Sequence, residues 1–248
     1  MEMLKVFIGY DHRQPVSYTA LQQSIIDNSK VPVQITPLVL PTLPLKREGL
    51  TPFTFSRFLV PYLCDFKGWA LFLDIDMLVL GDIGEFKTLQ DSNFDILVSK
   101  NEKRFEWASV MLFNCEKCTI LTPEYIETAH DLHRLAWCPE DKIGALPPEW
   151  NHLVGYDEER TDAKLVHYTQ GVPAYEETMM SEYSKEWHAM AQKALSTFPW
   201  ADLMATSVHA THINDKPLPK FLFEKDCFTP KPKYKKIVND LINKQMAS

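Results

Sequence analysis

The chain has 248 residues, of which 45% are hydrophobic and 24% are charged, and its formal net charge is −7. These proportions are typical of a globular protein, and the length allows one α/β domain with a large core, so we expect a chain that folds. The negative charge disfavours nucleic-acid binding by the body of the protein, because it repels phosphate backbones.

Strands and helices alternate in the first part of the chain. Short apolar runs predict strands at residues 5–10, 33–40 and 69–73. Apolar residues at helical spacing predict helices at 16–26 and 53–63, with a Pro-rich loop at 41–52. The third strand is nearly all apolar, as central parallel strands are. This alternation indicates an open, mostly parallel sheet.

The remainder of the chain continues this pattern more irregularly. Further strands are predicted at residues 94–99, 109–113 and 165–168, and further helices at 123–136 and 187–198. No linker divides the first 200 residues. We therefore expect a single domain at residues 1–215, followed by a basic tail at 216–248.

The tail carries eight lysines and three acidic residues, a net charge of +5 that leaves −12 for residues 1–215. A basic end of this kind can attach weakly to anionic lipid head groups, where each cation contributes about 1 kcal/mol. A solvated helix at residues 235–245 is the preferred interpretation, because its apolar face is short.

Three observations bear on the compartment. The apolar runs are strand-sized and well short of the roughly 20 residues that a membrane span needs. The first residues lack the basic and apolar regions of a secretory signal. The five cysteines lack the paired density of a secreted scaffold, which favours reduced thiols. We expect a cytoplasmic protein, with peripheral attachment at the inner membrane face as the alternative.

Two carboxylates follow the third predicted strand, in the segment Leu73-Asp74-Ile75-Asp76-Met77. In a continuing strand Asp74 and Asp76 would share one face, and both would reach one ion beyond the carboxyl end of the strand. Hard oxygen ligands suit Mg²⁺ or Mn²⁺, which neutralises charge on a departing diphosphate. The alternative is that Asp76 begins a turn and Asp74 is an incidental cap. Apolar flanks make an unpaired carboxylate costly there, which favours a functional role.

His167 ends another apolar strand-like run, and Arg57 lies on an otherwise apolar predicted helix. A His beside two carboxylates would favour Mn²⁺ over Mg²⁺, although most of the eight histidines are expected to be structural or exposed. A guanidinium in an apolar helix either pairs with a carboxylate or is reserved for phosphate. The residues themselves leave both questions open.

Six ordered motifs within residues 4–175 resemble the family 8 glycosyltransferases and their bacterial relatives. They are Val6-Phe7-Ile8-Gly9-Tyr10-Asp11, Ser56-Arg57-Phe58, Leu73-Asp74-Ile75-Asp76, Val110-Met111-Leu112-Phe113-Asn114, Leu146-Pro147-Pro148-Glu149-Trp150-Asn151, and Val166-His167-Tyr168 followed by Gly171 and Pro173. That family has the GT-A fold. The resemblance therefore implies a GT-A type, Rossmann-like α/β domain in which helices flank a mostly parallel sheet.

The resemblance also implies roles for individual residues. Asp74, Asp76 and His167 would ligate Mn²⁺, with Mg²⁺ as the alternative ion. The donor sugar nucleotide would be bound by Ile8, Gly9, Tyr10, Asp11, Arg57, Asp74, Ile75 and Trp150. Asp141, near the anomeric centre, and Asn151, at the sugar site, would take the catalytic positions.

The chain departs from the family in two places. Trp107-Ala108-Ser109 stands where many members have Asn-Ala-Gly, so the sugar pocket is expected to be built differently. Val172-Pro173-Ala174 stands where members often have Lys-Pro-Trp, which removes a cation expected at the diphosphate. Either Arg57 and the metal suffice to bind the diphosphate, or Arg13 or Lys100 takes the place of the missing lysine.

The activity that the resemblance implies is retaining transfer of a sugar from a UDP-sugar to a glycan, lipid-linked or protein acceptor. No protein nucleophile is evident in many members, so the leaving diphosphate itself would deprotonate the acceptor. One alternative is a haloacid dehalogenase-type phosphatase, disfavoured because its DxD usually opens the chain and Leu78 replaces a Thr or Val. The other is a catalytically idle sugar-nucleotide-binding protein, which the lost Lys favours and the intact Asp74, Asp76 and His167 disfavour.

Overall fold

The computed structural model describes residues 3–102 and 104–195. Its strands, in chain order, are β1 (Leu4–Gly9), β2 (Val33–Leu38), β3 (Trp69–Leu73), β4 (Met77–Val79), β5 (Ile96–Val98), β6 (Val110–Asn114), β7 (Ile143–Ala145), β8 (His152–Leu153) and β9 (Leu165–His167). Its helices are α1 (Pro15–Asp27), α2 (Val60–Leu63), α3 (Pro123–Thr128) and α4 (Ser184–Leu195). The strands and first helix predicted for the opening of the chain are confirmed.

Six strands form the main sheet, in the order β2-β1-β3-β6-β5-β7. β1 is parallel to β2 and β3, and β5 is parallel to β7. β6 is antiparallel to both of its neighbours. The predicted mostly parallel sheet is therefore confirmed. It follows that the carboxyl ends of five strands and the amino end of β6 lie along one edge of the sheet, called the carboxyl edge below.

A second, three-stranded sheet has the order β4-β9-β8. β4 begins four residues after β3 ends and pairs antiparallel with β9, so that Met77 lies opposite His167. β8 is parallel to β9. Of these three short strands only β9 is predicted from the sequence.

Both faces of the main sheet are buried. Val6 and Ile8 of β1 pack in one apolar cluster with residues of α1, whereas Phe7 packs in another with Phe58 and its neighbours. Successive side chains of a strand point to opposite faces, so a strand buried on both sides must be apolar throughout. This explains why β1 and β3 read as continuous apolar runs.

Helix α3 is shorter than the helix predicted at residues 123–136. Its first turn is capped by the side chain of Thr122, but Ala129 is extended and Asp131 has a left-handed backbone. Arg47 donates from Nη1 to the carbonyls of Ile126 and Ala129, at 2.7 and 2.8 Å. A guanidinium from a distant loop thus satisfies carbonyls near the end of the helix, and the chain leaves the helical path there.

The other predicted helices differ in their bounds. The helix predicted at residues 53–63 is a 3₁₀ turn (Ser56–Leu59) that continues into α2. α4 begins before the predicted residue 187, and residues 196–198 of that prediction lie outside the described residues. The predicted domain end at residue 215 and the helix at 235–245 also lie outside them. In the described ranges, no helix combines the length and apolar character needed to cross a membrane.

Candidate functional site

Asp74 and Asp76 lie at the carboxyl edge, directly after β3. They occupy a turn between β3 and β4, so the expectation that they share a face of a continuing strand is wrong. The turn is held by the Asp74 amide, which donates to the Ser109 carbonyl at 3.1 Å. Asp74 is buried, whereas the Asp76 side chain is 25% exposed. The chain turns here because β4 joins the second sheet.

His167 reaches the same point from β9. Its Nε2 lies 3.4 Å from Asp76 Oδ1, and its Nδ1 lies 3.2 Å from Asn151 Oδ1. Burial favours the neutral imidazole, but Asp76, Asp74 and Glu106 outweigh that effect and raise the pKa of His167. The structure thus brings together the three predicted metal ligands and Asn151.

Arg57 pairs with a carboxylate, one of the two roles that the sequence left open. Its Nη2 lies 3.0 Å from Asp74 Oδ1, its Nη1 lies 3.3 Å from Asp74 Oδ2, and Nη1 also donates to the Ala108 carbonyl at 2.7 Å. Burial raises the pKa of Asp74 to about 7, an effect that Arg57 opposes and the Asp76 carboxylate reinforces. Arg57 therefore compensates part of the negative charge of the site.

Glu106 is a further acidic group of the cluster and is not among the residues that the sequence predicted for it. One ligand atom each of Asp74, Glu106 and His167 lie within 4.8 Å of one another. Glu106 precedes β6, and because β6 is antiparallel its amino end lies at the carboxyl edge. The one signal in the sequence is its place directly before Trp107-Ala108-Ser109, where the chain departs from the family it resembles.

The donor atoms of this cluster suit a divalent cation. Asp74 Oδ1 and Asp76 Oδ1 are buried and form no hydrogen bond of normal geometry, although Arg57 lies close to the first of them. Arg57 Nη2 lies 3.0 Å from the first oxygen and His167 Nε2 lies 3.4 Å from the second, and buried carboxylates need compensation of this kind. Carboxylates with one imidazole are a donor set that fits Mg²⁺ or Mn²⁺, so the residues fit the ion that the fold implies.

A pocket of about 430 Å³ opens at the cluster. Its wall includes Arg57, Asp74, Asp76, Glu106 and His167. Its size lies within the range of about 300–1,000 Å³ that is usual for small-molecule sites. The cluster is therefore accessible to a ligand of moderate size.

The predicted base-binding segment lies beside this pocket and does not line it. Ile8 is buried in the core, and a Cβ on Gly9 would lie 2.5 Å from the Phe53 ring. Tyr10 packs edge-on against Tyr18. Asp11 is held by Arg13, whose Nη2 lies 2.6 Å from Asp11 Oδ2, and this contact lowers the pKa of Asp11.

A smaller pocket of about 230 Å³ adjoins the first one. It is lined by His12 and Arg13, and it shares Leu50 and Thr51 with the larger pocket. The two pockets together therefore join the end of β1 to the carboxylate cluster.

Asp141 does not reach the site, contrary to the sequence-based expectation. It lies on a 3₁₀ turn directly before β7, its side chain is 76% exposed, and Lys142 is its ion-pair partner at 3.5 Å. β7 is parallel to β5 and therefore runs in the direction of β3. A residue before β7 lies at the amino edge of the sheet, opposite Asp74.

Trp150 and Ile75 do not line the pocket either, because both side chains are buried in the core. The Trp150 ring packs against Phe86, with ring centroids 4.4 Å apart, because the turn Pro148–Trp150 directs it inward. Ile75 is fully buried in the cluster that contains Phe58. Of the four predicted residues Asp141, Ile75, Trp150 and Asn151, it is Asn151 that contacts the site, through His167.

The cations proposed as substitutes for the missing lysine are already engaged. Arg13 is bound to Asp11, and Lys100 donates to the Ile143 carbonyl at 2.6 Å. Lys100 and Asn151 line a separate pocket of about 370 Å³. Arg104, which the sequence did not predict, lines the main pocket while pairing with Glu140 at 2.5 Å.

Comparison with known sequences identifies a relative. No family model matches the chain. Protein CDI of Arabidopsis thaliana is 33% identical over 219 residues, a match that covers 74% of this chain and 84% of that protein. The chain belongs to the family of Protein CDI.

Solved structures show which fold this CDI-family chain has. The bifunctional glycosyltransferase WbbM matches with a TM-score of 0.58 and 16% identity over 80% of this chain, and GlyE of Streptococcus pneumoniae with 0.58 and 16% over 82%. The chain spans only 50% of the WbbM chain and 62% of the GlyE chain. The galactosyltransferase LgtC matches with 0.54 and 12% identity over 79% of this chain and 98% of its own. The chain has the GT-A glycosyltransferase fold, as the resemblance implied.

Proposed function

We propose that the chain is a metal-dependent glycosyltransferase that moves a sugar from a UDP-sugar to a glycan, lipid-linked or protein acceptor. The observation that carries the proposal is the cluster of Asp74, Asp76 and His167 at the carboxyl edge of a GT-A sheet, in which two buried carboxylate oxygens lie against Arg57 and His167 but form no hydrogen bond of normal geometry. Ligands of open α/β sheets bind at that edge. A binding site for a cation and a diphosphate accounts for both features.

The proposed roles follow from the contacts. Asp74, Asp76 and His167 would hold Mn²⁺ or Mg²⁺, which when bound neutralises charge on the diphosphate. Arg57, through its pairing with Asp74, sets the charge and position of that carboxylate. Asn151 orients the His167 ring. The pocket that Arg13 lines, at the end of β1, is the proposed place of the nucleoside.

We further propose that the sugar is transferred with retention of configuration, which rests on the resemblance to family 8 enzymes. Asp141 lies at the opposite edge of the sheet and therefore has no part in this proposal as a nucleophile. The leaving diphosphate would deprotonate the acceptor. An inverted anomeric configuration of the product, determined by NMR, would contradict this mechanism.

The alternatives are less well supported. The fold does not favour the haloacid dehalogenase-type phosphatase. An idle sugar-nucleotide-binding protein remains distinguishable by assay, since it would bind donor without turnover. The cytoplasmic location and the weak membrane attachment through residues 216–248 stay predictions from the sequence.

The metal requirement is tested by removing one carboxylate. Asp76→Asn is expected to lower Mn²⁺-dependent hydrolysis or transfer of the donor by about 100-fold or more, because a bound metal contributes several kcal/mol of charge stabilisation. The measurement is release of UDP from a panel of UDP-sugars. Asp65→Asn, an exposed position before β3, is the matched control and should retain full turnover. An unchanged rate of UDP release in the presence of EDTA would contradict the metal-dependent mechanism.

A further inference from the structure

We propose that Glu106 is an additional ligand of the divalent ion, so that the ion is held from the β3–β4 turn, from β9 and from the loop before β6. This inference rests on the proposed function, because it concerns the metal of that same site. The loop before β6 is where the chain departs from the family it resembles, so the ligand set would differ there from that of the family.

The first support is the position of the Glu106 carboxylate. It provides an oxygen within 4.8 Å of ligand atoms of both Asp74 and His167. It lines the pocket at the cluster. Across residues 3–102 and 104–195, no hydrogen bond or ion pair of the Glu106 side chain is found, whereas Asp74 and Asp76 contact Arg57 and His167 respectively. With respect to the described residues, its oxygens are therefore available to bind a cation.

The second support is the backbone that holds Glu106 in place. Glu106 has a φ of +57°, a left-handed conformation that is unfavourable for a non-glycine residue. Its carbonyl accepts hydrogen bonds from the backbone amide and the hydroxyl of Ser109, at 3.2 and 2.6 Å, and from Asn151 Nδ2 at 3.5 Å. Ser109 in turn accepts the hydrogen bond of the Asp74 amide. Strained backbone of this kind persists where surrounding contacts impose it, often at functional sites.

The third support is the balance of charge. Three carboxylates converge on the cluster, and Arg57 is the permanent cation in contact with it. Arg104 also lines the pocket, but it is paired with Glu140 and its guanidinium lies 4.8 Å from the centre of the Trp107 ring. Asp74 Oδ1, on a side chain only 8% exposed, has Arg57 Nη2 as its ion-pair partner at 3.0 Å but forms no hydrogen bond of normal geometry. A divalent cation supplies the missing positive charge.

The test measures binding of Mn²⁺ alone to the full chain by electron paramagnetic resonance. Glu106→Gln keeps the size of the side chain and removes its charge, and we expect the Mn²⁺ affinity to fall at least about tenfold, on the scale of changes at metal sites. Glu102→Gln removes the same charge from an exposed position of the same loop and should leave the affinity unchanged. Equal affinities of the wild type and Glu106→Gln would overturn the inference, as would a wild type that binds no Mn²⁺.

A second measurement separates metal binding from a structural role. Without metal, Glu106 repels Asp74 and Asp76, so Glu106→Gln is expected to melt at a higher temperature than the wild type in EDTA and to gain less on addition of Mn²⁺. If Glu106 serves only to hold the loop, Glu106→Gln should instead melt at a lower temperature than the wild type in EDTA and bind Mn²⁺ with the wild-type affinity. That result would also overturn the inference. The proposed function fails separately, if the wild type binds Mn²⁺ normally but turns over no sugar nucleotide.

Discussion

Asn151 joins three parts of the site through one side chain. Its Nδ2 donates to Ser109 Oγ at 3.1 Å and to the Glu106 carbonyl, and its Oδ1 therefore faces His167 Nδ1 and accepts a hydrogen from it. When the ring loses its second proton, a hydrogen kept on Nδ1 leaves the lone pair on Nε2, the nitrogen that lies 3.4 Å from Asp76 Oδ1. We therefore propose that Asn151 positions His167, where the sequence predicted a catalytic residue.

Removing the Asn151 amide should affect both metal binding and stability. Asn151→Ala is expected to weaken Mn²⁺ binding by about 10-fold, because partners that orient a metal-binding histidine contribute on that scale. It should also lower the free energy of unfolding by about 1–3 kcal/mol, since buried polar groups lose their partner. Titration with Mn²⁺ and urea unfolding measure the two effects.

The control for this change is Asn93→Ala, an exposed position before β5 that should alter neither quantity by more than about 0.5 kcal/mol. An Asn151→Ala protein that is destabilised but binds Mn²⁺ with wild-type affinity would contradict the orienting role. It would leave Asn151 with a purely structural one.

At the scale of elements, helix α1 covers the open edge of β4. β4 is an outer strand of the second sheet, so its outward backbone groups lack a strand partner. The Val79 amide donates instead to Ser24 Oγ at 3.0 Å, and the Val79 carbonyl accepts from Asn28 Nδ2 at 3.0 Å. Ser24 of α1 and Asn28, the residue that follows the helix, therefore hold β4 in place. The first residue of that strand, Met77, pairs with His167.

Ser24→Ala tests this coupling between α1 and β4. The Val79 amide would be left buried without an acceptor, so the free energy of unfolding should fall by about 1–3 kcal/mol. Ser17→Ala is the matched control: it lies on the same helix and is equally buried, but among the residues that the structure describes its hydroxyl forms a single long hydrogen bond, to Gln14 Oε1 at 3.5 Å. Urea unfolding of both variants provides the comparison, and equal losses would show that Ser24 does not anchor β4.

At the scale of the whole molecule, the site is assembled from segments far apart in the chain. The turn at 74–76, the loop before β6, Asn151 and the end of β9 converge because the strands deliver them to one edge. A ligand that binds all of them binds only the folded protein and stabilises it by mass action. Ligand binding should therefore be visible in global unfolding.

We expect UDP and Mn²⁺ together to raise the melting temperature more than either does alone. At 100 times the dissociation constant the gain is about 2.7 kcal/mol, which corresponds to roughly 5–10 °C for a domain of this size. A thermal-shift screen of nucleotide sugars, with Mn²⁺ or EDTA, measures it. Asp76→Asn should lose the joint effect. Equal shifts with GDP-sugars or ADP-sugars would contradict the UDP assignment, and no shift with any donor would count against the proposed function.

The predicted metal ligands and the opening strands have local signals in the sequence. β1 and β3 are buried on both faces and therefore appear as apolar runs, from Val6 to Gly9 and from Trp69 to Leu73. Carboxylates directly after such a run are costly unless they bind something, so the sequence alone singles out Asp74 and Asp76. His167 ends a third apolar run, and its inclusion among the ligands depends also on the resemblance.

The tertiary structure alone decided which other residues belong to the site. Whether a residue lies at the carboxyl edge depends on the direction of its strand. The residues of a short strand do not indicate whether it runs parallel or antiparallel to its neighbours. The antiparallel β6 therefore brings Glu106 to the cluster, whereas the parallel β7 leaves Asp141 at the opposite edge. The helix predicted at 123–136 likewise ends at Thr128, where Ala129 is extended and Arg47, from a distant loop, binds the carbonyls of Ile126 and Ala129, a contact that no local pattern shows.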